Sequence, residues 1–165
     1  MDSFVRFIPK SIIPRLGGKH ALIEPLSQEV RLCLLDSINP CDTYIEPFMG
    51  GARIFLNCPM PQNVVLNEYD KNITSLFRVI QRGGSDLDQL IHELQSAAYC
   101  QENFEEAKVL AAGSNSSEVE RAMAAYILAK QSILNCGEGF KWYSENDSEK
   151  GIKNREYLLL DIFMI

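Results

Sequence analysis

Two short apolar segments separated by a glycine pair most constrain the fold of this chain. The first, Tyr44 to Phe55, reads YIEPFMGGARIF, and the second, Val64 to Asp70, reads VVLNEYD. A strand, a glycine turn, a helix start and a second strand ending in an acid form the pocket for an adenosine-containing ligand in doubly wound sheets. Glycine lets the backbone approach a ligand, and the helix N-terminus offers free N–H groups. A simple tight turn is the alternative interpretation of Gly50 and Gly51.

Glu68 ends the second strand about 20 residues beyond the glycines, which is the usual spacing of the ribose-binding acid in such folds. A carboxylate at this place can accept hydrogen bonds from both hydroxyls of a ribose. An ordinary solvated surface acid is the alternative. The glycine turn and the acid together favour nucleoside binding.

Apolar spacing predicts an α/β domain with two short strands, Thr43–Glu46 and Val64–Leu66. The second strand is apolar throughout, as is typical of a strand covered on both faces. Ser85 and Ser117 are expected to cap helices. The helices beyond residue 70 are too many for one crossover, which indicates a helical insertion or subdomain. Helices are predicted over residues 21–37, 71–81, 101–112 and 118–134, with further starts at Ala52 and after Ser85.

Composition argues against several other classes of protein. With 165 residues, 46% hydrophobic and 23% charged, the chain fits one globular domain, and its apolar runs fall short of the roughly 20 residues of a membrane span. Neither a secretory signal nor a metal site is expected. The five cysteines form no CxxC pair, which argues against a disulfide framework and favours the reducing cytoplasm. The net charge of −6 excludes a positive field over the whole surface but not a local basic patch.

Three segments resemble, in the same order, motifs of the Dam-type DNA adenine methyltransferases, which use S-adenosylmethionine. Pro14 to Lys19 (PRLGGK) is similar to the family's GGK motif, and Glu46 to Gly50 (EPFMG) is similar to its EPF-x-G cofactor motif. Leu66 to Asn72 (LNEYDKN) is similar to the segment that carries an acid after the second strand. The resemblance implies a Rossmann-like S-adenosylmethionine-dependent methyltransferase fold with a partial sheet. It also implies methylation of the adenine amino group in double-stranded DNA.

The resemblance further implies roles for individual residues. Phe48 would pack near the adenosine, Glu68 would hold the ribose hydroxyls, and Lys19 would line the cofactor and active-site region, with a surface lysine as the alternative. Three positions depart from the family: Ala52 replaces a glycine, Arg15 stands where an aromatic is common, and Glu68 replaces the commoner aspartate. The implied cofactor-binding residues are Arg15, Gly17, Gly18, Lys19, Glu46, Pro47, Phe48, Gly50, Gly51 and Glu68.

The catalytic motif of such enzymes, (Asp/Asn/Ser)-Pro-Pro-(Tyr/Phe), does not occur in the 165 residues. Its polar group would accept the hydrogen bonds of the adenine amino group, and its aromatic ring would stack on the flipped base. The nearest string, Asn39-Pro40-Cys41-Asp42, lacks the second proline and the aromatic and is interpreted as a helix stop. No catalytic residue is therefore assigned, and the chain alone is expected to transfer no methyl group.

The chain divides into a cofactor-binding α/β part at residues 1–82, a helical segment at 83–134, and residues 135–165, where a target-recognition region would begin and be truncated. Basic and aromatic side chains are mixed with acids in the last part, so a DNA-facing loop and a solvated loop both stay open. Leu158 to Ile165 is apolar except for Asp161, which predicts a covered strand, a truncation, or an interface for a partner chain or for self-association. The DNA-binding candidates are Lys141, Trp142, Lys150 and Lys153.

Three functions are compatible with these observations. The chain is a truncated methyltransferase that holds the cofactor half, one subunit of a split methyltransferase, or a non-catalytic module that binds S-adenosylmethionine or DNA. A nucleotide-binding oxidoreductase is disfavoured because the glycine turn lacks the full GxGxxG pattern.

Overall fold

A computed structural model of the chain describes residues 12–14, 23–35, 41–58 and 61–142. Within these ranges the chain forms a two-stranded parallel sheet and five α-helices. The mixture of strands and helices agrees with the α/β composition expected from the sequence. The GGK segment, the Asn39-Pro40 helix stop and the stretch Leu158 to Ile165 lie outside the described residues.

The two strands are β1 (Thr43–Glu46) and β2 (Asn63–Leu66), and they pair in parallel with Ile45 beside Val65. Both predicted strands are confirmed, the second beginning one residue earlier than expected. Their polypeptide connection contains the glycine turn and a short 3-10 turn at Phe55–Asn57.

The helices are, in chain order, α1 (Ile23–Leu35), α2 (Lys71–Arg82), α3 (Gly84–Ser96), α4 (Gln101–Ala112) and α5 (Glu118–Gln131). Those predicted near residues 21–37, 71–81 and 101–112 are confirmed. Their apolar residues recur at the helical period, and this signal depends only on local sequence.

Helix α5 is the centre of the hydrophobic core. It packs against α2, α3 and α4, and small residues such as Ala122 and Ala125 let these helices approach closely. Leu76 and Val79 of α2 and Phe104 of α4 are completely buried around it. Its buried residues extend around much of the helix: Val119, Ala122, Ala124, Ala125, Tyr126, Ile127, Ala129 and Gln131.

The prediction that β2 is covered on both faces is wrong. Val65 is 51% exposed, and Ile45 beside it on β1 is 62% exposed. The reason is that the helices following β2 pack mainly on one another. The sheet has only two strands within the described residues.

Three predicted helix ends differ from the structure. Ser85 does not cap α3, because Gly83 adopts a positive φ of 65° and the helix begins at Gly84. Helix α5 ends at Gln131 and not at residue 134, since Ser132 is extended and Leu134 has φ 55°. No α-helix begins at Ala52, because this residue has φ 49° and lies in a turn, and the short 3-10 turn at Phe55–Asn57 follows it.

Ser117 caps α5 as predicted, in a reciprocal capping box with Glu120. The Ser117 side chain accepts from the Glu120 N–H at 3.2 Å, and the Glu120 carboxylate accepts from the Ser117 N–H at 2.6 Å. We expect Ser117→Ala to lower the free energy of unfolding by about 1 kcal/mol, measured by urea denaturation. Ser85→Ala is the matched control and should change it by only a few tenths of that amount, because Ser85 caps nothing.

The Glu120 half of the capping box makes a separate contribution to stability that depends on pH. Hydrogen bonds from Ser117 hold the pKa of Glu120 below its ordinary value. A carboxyl group with a lowered pKa in the folded state contributes stability above its unfolded pKa, and this stability is lost as pH falls through its folded pKa. The Ser117 backbone N–H that donates to Glu120 is retained in Ser117→Ala, so Glu120→Gln tests this pH dependence. The difference in the free energy of unfolding between Glu120→Gln and the native chain should narrow in acid, and an undiminished difference would contradict the capping box.

Candidate functional site

The carboxyl ends of β1 and β2 continue into two loops that are hydrogen-bonded to each other. We call them the glycine loop (residues 47–52) and the acidic loop (residues 67–70). Asn67 N donates to Glu46 O at 2.9 Å, and Met49 N donates to Asn67 O at 2.9 Å. The Asn67 side-chain amide also donates to Pro47 O at 2.9 Å. Asn67 thus fixes the position of one loop against the other.

Glu68 makes the second connection between these loops. Its carboxylate accepts from the Gly50 N–H at 2.8 Å through one oxygen and from the Asp70 N–H at 3.0 Å through the other. Hydrogen bonds to a carboxylate are stronger than those between neutral groups. The acid and the glycine turn, which are 18 residues apart in sequence, therefore meet at one place.

The two glycines have different structural requirements. Gly50 has φ 53°, a left-handed conformation that glycine adopts without steric cost. A Cβ on Gly51 would lie 2.7 Å from the carbonyl oxygen of Ile13, so close backbone packing excludes a side chain there. Ala52, which departs from the family pattern, is fully buried in the core. Its methyl group packs inside the protein.

Aromatic side chains project from both loops. Phe48 in the glycine loop is 81% exposed, and Tyr69 in the acidic loop is 97% exposed. Large exposed rings beside hydrogen-bonded loops can cover the planar face of a bound heterocycle. The exposure of Phe48 is compatible with the role that the family resemblance implies for it.

Glu46, at the end of β1, is only 7% exposed. Its carboxylate accepts from the Tyr44 hydroxyl at 2.9 Å. Burial, this hydrogen bond and the charge of Glu46 raise the pKa of Tyr44 far above its ordinary value, so Tyr44 stays a neutral donor. Burial and the Glu46 charge also raise the pKa of the Cys58 thiol.

A second group of candidate residues lies in the 132–142 turn, from Ser132 to Trp142. An antiparallel bridge joins Ser132 to Phe140, and Ile133 N donates to Gly139 O at 2.9 Å. Lys141 and Trp142 are both exposed beyond this bridge.

A cavity of about 380 Å³ is lined by the start of α2, the end of α4, the last turns of α5 and the 132–142 turn. Asp70 of the acidic loop lines it together with Asn72, whose side-chain oxygen is buried without a hydrogen-bond partner. The turn contributes residues 135–138 to the same cavity. The 132–142 turn is therefore a neighbour of the acidic loop.

The structure brings together Glu46, Pro47, Gly50 and Glu68, and it places Lys141 and Trp142 on the 132–142 turn.

Sequence reasoning missed Asn67 and Tyr44. The only signal for Tyr44 is its position two residues before Glu46, which puts both side chains on one face of β1. The remaining predicted site residues lie outside the described ranges: Arg15, Gly17, Gly18, Lys19, Lys150 and Lys153.

Two other kinds of feature are absent from the described ranges. There, no group of three or more His, Cys, Asp or Glu side chains could hold a metal ion. None of the helices in the described part of the chain has both the length and the apolar character that a membrane crossing requires.

Comparison with known proteins gives one match. A family model described as D12 class N6 adenine-specific DNA methyltransferase matches residues 16–151, which is most of the chain. Searches among curated proteins and among solved structures returned no significant match. The matched region includes both loops of the candidate site and the 132–142 turn.

Proposed function

Because the chain belongs to the D12 class of N6 adenine-specific DNA methyltransferases, a class of enzymes, we propose that the glycine and acidic loops bind S-adenosylmethionine in a Rossmann-like fold. The observation that carries this proposal is the Glu68 carboxylate, which joins the Gly50 N–H to the Asp70 N–H. Ligands of open parallel sheets bind outside the carboxyl ends of the strands. Both loops lie at these ends in β1 and β2.

In this proposal Glu68 accepts the ribose hydroxyls of the cofactor. A carboxylate offers about four acceptor sites, so hydrogen bonds from two backbone N–H groups are compatible with this role. Phe48 covers the adenosine part, and the buried Glu46 is oriented by the Tyr44 hydroxyl. The further cofactor-binding residues, proposed from the family resemblance, are Arg15, Gly17, Gly18, Lys19, Pro47 and Gly51.

When bound, S-adenosylmethionine would supply an electrophilic methyl group for the amino nitrogen of an adenine in double-stranded DNA. The residues of the glycine and acidic loops bind the cofactor and orient it. The (Asp/Asn/Ser)-Pro-Pro-(Tyr/Phe) motif that positions the amino group does not occur in the 165 residues. We therefore propose that the chain by itself binds the cofactor and transfers no methyl group, in a cytoplasmic setting. We retain residues 1–82, 83–134 and 135–165 as cofactor-binding, helical and target-recognition parts.

Calorimetry tests the binding proposal. We expect S-adenosylmethionine and S-adenosylhomocysteine to bind at one site per chain, and ATP at the same concentration to bind far more weakly, because the loops recognise more than adenosine. Equal binding of all three, or none, would contradict the proposal. Transfer of tritiated methyl groups to unmethylated DNA by this chain would contradict only the proposed inactivity.

The exposed sheet favours a second candidate, in which this chain is one subunit of a split methyltransferase. Ile45 and Val65 leave apolar surface open on adjacent strands, and such surface commonly marks an interface. Light scattering after co-expression with a polypeptide that carries the missing motif tests this candidate. Methyl transfer by the 1:1 complex would support it, and two separate monomers would count against it.

A further inference from the structure

Trp142 stands at the end of a row of packed aromatic rings. Phe104 is completely buried, and its ring centroid lies 5.6 Å from that of Phe140, which is also buried. Phe140 lies 5.3 Å from Tyr99 and 5.0 Å from Trp142, and the last pair meets edge to face at 89°. Trp142 itself is 73% exposed. The buried Phe140 ring thus contacts the Trp142 indole and leaves most of the indole exposed to solvent.

The backbone that carries Trp142 is fixed on both sides of Lys141. Lys141 N donates to Gln131 O, at the end of α5, at 2.8 Å. The Tyr99 hydroxyl, in the α3–α4 connection, donates to Lys141 O at 2.9 Å. An aromatic side chain on a fixed backbone loses little conformational entropy when it binds a partner. Such a ring is suited to stacking.

The 132–142 turn presents apolar surface together with one exposed base, Lys141, and one exposed acid, Glu138. Ile133 and Leu134 are exposed on the other arm of the turn, and Lys141 is exposed next to the indole. Leu134 has a left-handed φ of 55°, a conformation that costs a non-glycine residue energy and is concentrated at functional sites. Residues 135–138 of the same turn line the cavity that Asp70 of the acidic loop also lines.

We infer that Trp142 stacks on an unpaired base of the DNA, with Phe140 and Tyr99 as its positioning residues and Lys141 as a contact to phosphate. Stacking on an aromatic ring tolerates any base, because every base has a π-face. This inference rests on the proposed DNA methyltransferase function and adds the side chain that meets the nucleic acid.

Trp142 is the single tryptophan of the chain, so its intrinsic fluorescence reports on this site alone. We expect the fluorescence to be quenched by a duplex with one unpaired base, and less by a fully paired duplex of the same length. Anisotropy of the labelled duplex should show Trp142→Ala weakening binding by roughly fivefold to 150-fold, the range of one base–aromatic stack. Tyr99→Phe, which removes only the hydroxyl, should reduce the quenching while circular dichroism stays unchanged.

Val109→Ala is the control, because Val109 is exposed on α4 outside the turn, and it should bind DNA like the native chain. Unchanged DNA affinity of Trp142→Ala would overturn the inference and leave DNA binding intact. If the native chain does not bind DNA at all, the inference is overturned as well. Calorimetry would then show separately whether the chain still binds the cofactor. Fluorescence that changes with protein concentration and not with DNA would overturn it in favour of an interface between chains.

Discussion

Replacing Glu68 with glutamine is expected to lower the affinity for S-adenosylmethionine about tenfold or more, a change equivalent to about 1.4 kcal/mol. It should also lower the free energy of unfolding by roughly 1–3 kcal/mol. Glutamine has one acceptor oxygen, whereas the carboxylate accepts from both Gly50 and Asp70. The amide nitrogen would face one of these backbone N–H groups, donor against donor. One of the two hydrogen bonds that Glu68 accepts would then be lost.

Glu106→Gln is the matched control, because Glu106 is an exposed acid on α4 and the same charge is removed. It should change neither the cofactor affinity nor the stability appreciably. Equal affinities of Glu68→Gln and Glu106→Gln would remove the main support for the cofactor site. Both variants are compared by calorimetry and by urea denaturation.

A 2′-deoxy analogue of S-adenosylhomocysteine separates the two roles of Glu68. If the carboxylate accepts a ribose hydroxyl, the effect of Glu68→Gln should be smaller with the analogue than with the natural ligand, since the lost contact is already absent. If Glu68 only holds the loops together, the effect should be the same with both ligands. The first result would support direct ribose recognition, and the second would assign Glu68 a positioning role alone.

The elements predicted well from sequence are those whose signals are local. Helices α2 and α4 have apolar residues at the helical period and clear flanking signals, such as the Asp70 cap and the glycine at residue 113. The end of α5 could not be predicted, because Leu134 continues an apolar pattern but adopts a left-handed backbone. That backbone conformation depends on the hydrogen bonds that close the 132–142 turn, such as Ile133 N to Gly139 O. These bonds join residues that the helical spacing of apolar side chains does not relate to each other.

The site was predictable to the same extent. The carboxyl ends of parallel strands meet at one edge, so an acid after β2 and a glycine turn after β1 are expected to be neighbours. The hydrogen bond from Gly50 to Glu68 agrees with this expectation. The contacts of Asn67 were not predictable, because asparagine is common in loops and nothing in its spacing indicates a partner. The exposure of Val65 depends on where the later helices pack, which strand composition alone does not specify.

Leu76→Ala should cause the largest loss of stability, about 2–5 kcal/mol, by removing a completely buried side chain between α2 and α5. The alanine leaves a cavity that the packed helices fill only partly. For a chain of this size such a loss corresponds to a fall in Tm of roughly 5–15 °C. Thermal unfolding monitored by circular dichroism measures it.

Val109→Ala provides the comparison, because Val109 is an exposed residue on α4 and its truncation removes little buried surface. Its unfolding should differ from that of the native chain by no more than about 0.5 kcal/mol. Equal losses in the two variants would show that the α2–α5 contact is not the centre of the core. Well below its lowered Tm, Leu76→Ala should still bind the cofactor, since the loop contacts of Glu68 lie at the start of α2 and Leu76 lies beyond its first turn. Loss of binding by the folded variant would show instead that the two loops depend on the packing of α2 against α5.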